Sequence, residues 1–104
     1  MLFFRTRAIN AAMGALRVTA DVVPNKPGVY VPHPSVMKAQ LKAEYSQLGG
    51  QRIIKRVVPG ETPEGAAHTL LVGLSQRLLE LGRPEISIWC KVAAKKLLDD
   101  GFGR

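Results

Sequence analysis

The side chains that could perform catalysis or bind a metal are few and widely spaced in this chain. Ser75 lies in the run Gly-Leu-Ser-Gln-Arg, which lacks the second glycine and the preceding strand that a nucleophile elbow requires. His33, His68 and Cys90 are the only soft metal ligands, and none of them stands at a CxxC, HxxxH or HExxH spacing. The sequence therefore predicts no catalytic residue, no metal site and no cofactor, and we expect a protein that is not an enzyme.

Weaker signals have simpler interpretations. Glu64 and His68 are one helical turn apart, but a histidine on a polar helix face is the commoner explanation. Cys90 follows Trp89 on an apolar stripe, where a free cysteine behaves as a small hydrophobic residue. The adjacent acids Asp99 and Asp100 are typical of a solvated helix end. A small soluble enzyme or redox module is thus the least favoured of the three classes considered.

Basic residues are concentrated in the first part of the chain. Residues 1–58 contain nine Lys and Arg and two acids, whereas residues 59–104 contain six of each kind, so the net charge of +7 belongs to the first part. A candidate partner-binding patch consists of Lys26, Lys38, Lys42, Arg52, Lys55 and Arg56. Three interpretations remain open: contact with rRNA phosphates, contact with anionic lipid head groups or acidic protein, and a solvated surface. No aromatic residue is interleaved with residues 52–56, which disfavours a dedicated nucleic-acid binder.

A helical hairpin over residues 62–99 is the clearest structural signal. Thr62 and Pro63 are favoured at a helix start, Gly82 ends that helix, and Pro84 opens the next. The apolar stripe of the hairpin comprises Leu70, Leu71, Leu74, Leu78, Leu81 and Trp89. Because the first helix has leucines on more than one side, we expect the stripe to bind a partner protein and the isolated chain to aggregate. Arg77, on the polar flank, is expected to be dispensable.

The segments before the hairpin have compositions that differ from it and from one another. Residues 1–17 carry Arg5, Arg7 and Arg17 with no acid before Asp21, a composition typical of a mitochondrial targeting segment, here expected to remain on the chain. Residues 18–34 contain four prolines and are predicted to form an extended arm across a partner. Ser35 is the predicted N-cap of a helix over 36–48. Short edge strands are expected at residues 29–31 and 51–58.

Together these patterns predict a mostly α fold: a C-terminal two-helix hairpin plus one further helix within a module over 35–104, an extended proline-rich basic N-terminal arm, and at most a short pair of edge strands. No apolar run is long enough to cross a membrane. The expected function is that of a non-catalytic accessory subunit bound to other proteins of a large mitochondrial assembly. An inner-membrane respiratory complex or ATP synthase, approached from the matrix side, is the first choice. The alternative is a small basic protein of the mitochondrial ribosome that contacts rRNA.

Overall fold

The computed structural model describes residues 4–48 and 62–101, and helices dominate both ranges. Helix α1 spans Phe4–Val18 and is followed by a 3₁₀ turn at Ala20–Val22; α2 spans Pro34–Leu48, α3 spans Pro63–Glu80 and α4 spans Pro84–Asp99. The described ranges contain no strand, which confirms the mostly α class. Residues 29–31 are irregular, and the strand predicted at 51–58 falls outside the described residues.

The helix boundaries follow from local capping. The Thr62 hydroxyl accepts a hydrogen bond from the Gly65 backbone N–H at 3.0 Å, with Pro63 at the first helical position of α3. Between α3 and α4, Gly82 has a φ of +75°, a left-handed conformation that costs glycine little. Residues 62–99 therefore contain two helices separated only by Leu81, Gly82 and Arg83.

Helix α2 begins earlier than the sequence predicts. It starts at Pro34, and the ring of His33 supplies the cap: Nδ1 accepts from the Ser35 backbone N–H at 3.1 Å and lies 2.9 Å from the Ser35 hydroxyl. Ser35 is therefore inside the helix and not its N-cap. Proline at the first helical position explains the shift, because its missing N–H is not needed there.

Helix α3 makes the most extensive contacts with the other helices: it packs mainly against α4 and α1, and also against α2. Its buried residues form one broad face that covers about half of the helix circumference: Ala66, Ala67, Leu70, Leu71, Leu74, Ser75 and Leu78. Helix α4 adds Ile86, Ser87, Trp89, Cys90, Ala93, Ala94 and Leu97. The surface that the leucines of α3 require is supplied by this chain's own helices.

Helix α1 belongs to the same hydrophobic core as the hairpin. It buries Ala8, Ile9, Ala12, Ala15 and Leu16. The Trp89 indole N–H donates to the Leu16 carbonyl oxygen at 2.9 Å. This carbonyl lies in the last turn of α1, where backbone carbonyls have no N–H donor within the helix. The N-terminal basic segment is thus packed against α3 and α4.

The proline-rich arm is shorter than expected and lies on its own chain. Helix α1 and the 3₁₀ turn occupy residues up to Val22, so the irregular run is limited to 23–33. Val23 and Pro32 are buried, Val29 packs against the core, and the Tyr30 ring lies 5.0 Å from the Arg83 guanidinium carbon. No described helix combines the length and apolar character needed to cross a membrane.

Candidate functional site

A basic cleft forms where α1 and α2 meet. Its lining residues come from the first half of α1 and from the middle of α2: Arg5, Thr6, Ile9, Asn10, Lys38 and Lys42. The cleft has a volume of about 220 Å³. We refer to this set of six residues as the α1–α2 cleft.

The positions of the three cations follow from helical geometry and packing. Lys38 and Lys42 are four residues apart, so they lie on one face of α2. Arg5 lies at the N-terminal end of α1, and its guanidinium carbon is 6.0 Å from the centroid of the Tyr45 ring, which is buried. A cation at this distance from an aromatic face is weakly attracted to it, which holds Arg5 beside α2.

Among the described residues, no acid lines the α1–α2 cleft. The acid of α2, Glu44, is only 5% exposed in its side chain and is directed toward α3, where its Oε2 lies 3.0 Å from Arg77 Nε. Helix α1 contains no Asp or Glu. Three positive charges with two hydroxyl or amide side chains, Thr6 and Asn10, form a surface suited to an oxyanion such as a phosphate.

The structure brings together only part of the predicted basic patch. Lys38 and Lys42 line the α1–α2 cleft, whereas Lys26 lies in the turn that precedes Val29 and does not line it. Arg52, Lys55 and Arg56 lie outside the described residues. Sequence reasoning missed Arg5 as a partner of the two lysines because it assigned the arginines of α1 to targeting alone.

The predicted partner-binding apolar stripe is instead part of the interior. Five of its residues are each no more than 6% exposed: Leu70, Leu71, Leu74, Leu78 and Trp89. Helices α1, α2 and α4 pack on the leucines of α3, and α1 packs on Trp89 of α4. Leu81 alone is open to a partner, at 67% exposure. The expectation that this stripe docks a partner is therefore corrected for the five buried residues.

Arg77 has a structural partner that the sequence did not suggest. Its Nε donates to the Glu44 carboxylate, and its Nη2 donates to the Gln47 side-chain oxygen. Arg77 therefore connects α3 to two turns of α2. These residues border a groove of about 150 Å³ above Leu74, Leu78 and Leu81. The expectation that Arg77 is dispensable does not fit this arrangement.

The other chemically capable side chains are used in packing. Burial raises the pKa of the Cys90 thiol from 9.0 to about 12, which disfavours the thiolate that nucleophilic and metal-binding cysteines require. The Ser75 hydroxyl donates to the Val72 carbonyl at 2.7 Å, and the Ser87 hydroxyl donates to the Ser75 carbonyl at 2.7 Å. Within residues 4–48 and 62–101, no three His, Cys, Asp or Glu side chains are grouped as metal ligands.

Comparison with known proteins yields no relative: no family model, curated protein or solved structure matches the chain.

Proposed function

We propose that this protein is a non-catalytic accessory subunit of a large mitochondrial assembly, which it joins through phosphate groups bound at the α1–α2 cleft. The observation that carries the proposal is the convergence of Arg5, Lys38 and Lys42 on one cleft whose described lining residues include no acid. The first assignment is an inner-membrane respiratory complex or ATP synthase, where the phosphates belong to anionic lipid head groups on the matrix side. Each Lys or Arg near such a surface contributes about 1 kcal/mol.

The character of α1 supports the mitochondrial location. This helix has arginines and no acid, as mitochondrial targeting segments do, and an apolar face. Because that face supplies Ile9 and Leu16 to the core, the segment has a structural use after import. We therefore expect the mature protein in mitochondria to retain α1, which its intact mass would show.

Ribosomal RNA is the second candidate ligand, because its phosphates match the same cleft. A mitochondrial ribosomal protein that neutralises about three phosphates would bind single-stranded RNA with a salt slope, log K against log salt concentration, of about −2. The two candidates share the cleft and differ in what carries the phosphates.

The test is co-migration of the endogenous protein on native gels of detergent-extracted mitochondria, with and without RNase. Migration with a respiratory complex or ATP synthase, insensitive to RNase, supports the first assignment. Release by RNase supports the ribosomal alternative. Migration as a free monomer under both conditions contradicts both.

A pair of charge-matched variants tests the cleft itself. The triple change Arg5→Gln, Lys38→Gln and Lys42→Gln should abolish incorporation. The control changes Arg7, Lys26 and Lys91 to Gln; these residues are exposed and do not line the cleft. Both variants lose three charges and one arginine of α1, so a difference between them excludes net charge and import as the cause. Equal loss of incorporation would overturn the role of the cleft.

A further inference from the structure

A second cavity, distinct from the α1–α2 cleft, lies where the irregular arm crosses the C-terminal end of α1. Its volume is about 340 Å³, and its lining residues come from five segments: Met13, Leu16, Arg17, Ala20, Val31, Pro32, Pro34, Met37 and Trp89. This volume is at the lower end of the range for small-molecule sites, about 300–1,000 Å³. We refer to it as the Trp89 cavity.

The walls of the Trp89 cavity are apolar. The indole N–H of Trp89 already donates to the Leu16 carbonyl, so the ring offers the cavity an apolar surface and no free donor. Met37 is 1% exposed, and Met13 is partly buried. Unbranched thioether side chains adjust to ligands of irregular shape, and a flexible chain is such a ligand.

Arg17 is the single charged residue among the described residues that line the cavity. It lies in the last turn of α1, is exposed, and takes part in none of the ion pairs found among the described residues. Asp21, the next acid along the chain, is exposed and does not line the cavity. The described lining thus combines eight apolar residues with one exposed cation.

We infer that the Trp89 cavity binds an acyl chain that ends in an anionic head group, with the chain against Met13, Met37 and Trp89 and the head at Arg17. A polar heterocycle fits this lining poorly, because its donors and acceptors would be buried without partners. A neutral hydrocarbon would leave Arg17 unused. The head group is either the carboxylate of a free fatty acid or the phosphate of a lysophospholipid, since Arg binds both.

The test uses emission of Trp89, which is the only tryptophan of the chain. Octanoate should change the emission saturably, and 8-bromooctanoate should quench it with a similar midpoint, because bromine quenches on contact. From hexanoate to octanoate, each added methylene should tighten binding about fourfold, which corresponds to about 0.8 kcal/mol. A change that rises linearly with concentration and never saturates would overturn the inference.

Charge at Arg17 is tested with octanol and with one variant. Octanol should bind about tenfold more weakly than octanoate, and Arg17→Gln should weaken octanoate binding about tenfold while leaving octanol unchanged. Arg7→Gln, on an exposed position of the same helix that does not line the cavity, is the control. Equal effects of the two arginine variants would show a general charge effect and would refute an anion position at Arg17.

A cavity-filling variant guards against an indirect effect. Ala20 is exposed and lines the cavity, so Ala20→Phe can occupy the space without entering the core, and it should reduce octanoate binding at least tenfold. Unchanged binding by Ala20→Phe would place the ligand elsewhere.

The head group is identified by comparing octanoate with octanoyl lysophosphatidylglycerol: the ligand that binds more tightly carries the head group that Arg17 prefers. Cleft variants at Arg5, Lys38 and Lys42 should bind octanoate normally, so this result is independent of the proposed function.

Discussion

At the residue scale, Lys38 and Lys42 are held at a spacing where like charges repel. Two cations four residues apart on a helix cost about 0.2–0.5 kcal/mol, and Arg5 adds a third positive charge to the same cleft. An acidic residue at position 38 or at position 42 of α2 would remove this repulsion. Residues that lower stability in this way are commonly kept for binding.

The prediction is that Lys38→Glu stabilises the protein and weakens anion binding. A Glu at 38 would precede Lys42 by four residues, the favourable order, so repulsion is replaced by attraction and the free energy of unfolding should rise by about 0.4–1 kcal/mol. Urea unfolding measures the first effect, and flotation with vesicles containing phosphatidylglycerol measures the second. Lys91→Glu is the matched control, because it creates the same order with Lys95 on α4, outside the cleft. Equal loss of vesicle binding in both variants would contradict a specific role of the cleft.

Arg77 carries the second prediction at this scale. Arg77→Ala leaves the Glu44 carboxylate, 5% exposed, without its charged partner. We expect the free energy of unfolding to fall by about 1–3 kcal/mol, since a buried polar group without a hydrogen bond costs about that much. Gln76→Ala, at the neighbouring exposed position, should change stability by less than about 0.5 kcal/mol. If the two variants prove equally stable in urea, the Arg77–Glu44 pair contributes nothing.

At the element scale, α1 combines a basic outer surface with an inner face that the hairpin needs. Ala8 and Ala12 are completely buried, and small side chains there allow α1 to approach its neighbours closely. In the last turn of α1, the Leu16 carbonyl oxygen accepts the hydrogen bond from the Trp89 indole. The same fifteen residues therefore serve packing, the α1–α2 cleft and the Trp89 cavity.

We predict that Ala12→Asp unfolds the protein, whereas Arg7→Asp does not. An aspartate at a position with 0% exposure has neither space nor a partner for its charge, and such burial costs about 3–5 kcal/mol. Arg7 is exposed on the same helix, so the same new side chain is solvated there. The measurement is urea unfolding followed by Trp89 emission, which senses loss of the contact with α1. A stable Ala12→Asp protein would mean that α1 is not part of the core.

Local elements were accessible from the sequence, and long-range pairing was not. Thr62, Pro63, Gly82 and Pro84 mark helix ends through interactions with their immediate neighbours, so the hairpin could be predicted from their order. The Arg77–Glu44 pair joins residues 33 apart, and the Trp89–Leu16 bond joins residues 73 apart. Helical periodicity shows which face is apolar but not which helix covers it. For this reason the sequence predicts a partner protein on the leucine stripe and does not show that Arg5 approaches Lys38 and Lys42.

At the scale of the whole molecule, the core is continuous from α1 to α4, and this changes the expectation for the isolated chain. The predicted aggregation depended on an uncovered leucine face, which α1 and α2 cover in the structure. We therefore expect the purified protein to unfold in one cooperative transition.

Cys90 provides the measurement of that transition. The thiol is 0% exposed, and its pKa of about 12 lies above the 9.0 of an exposed thiol, so a thiol reagent at neutral pH should react only through unfolding. Because folding raises this pKa, the thiol's contribution to the free energy of unfolding is complete below pH 9, where the thiol is protonated in both states. The contribution is lost between pH 9 and 12, where only the unfolded protein loses the thiol proton, and the free energy of unfolding falls there by at most about 1.4 kcal/mol per pH unit. Cys90→Ala should lack this part of the alkaline decline. Rapid labelling of the native protein at pH 7, or identical alkaline profiles of both proteins, would contradict a closed core.

The bond between Trp89 and Leu16 also has a consequence for the order of events during synthesis. Helix α1 is made before α3 and α4, yet these two later helices supply most of the surface that covers its apolar face. Until Trp89 has emerged, Ile9 and Leu16 have no native partner on α4, so the nascent chain carries an uncovered amphipathic helix. The apolar face of such a helix stays uncovered while α2 and α3 are being made. The order of synthesis thus leaves this face of α1 open to other binding partners until α4 completes the core.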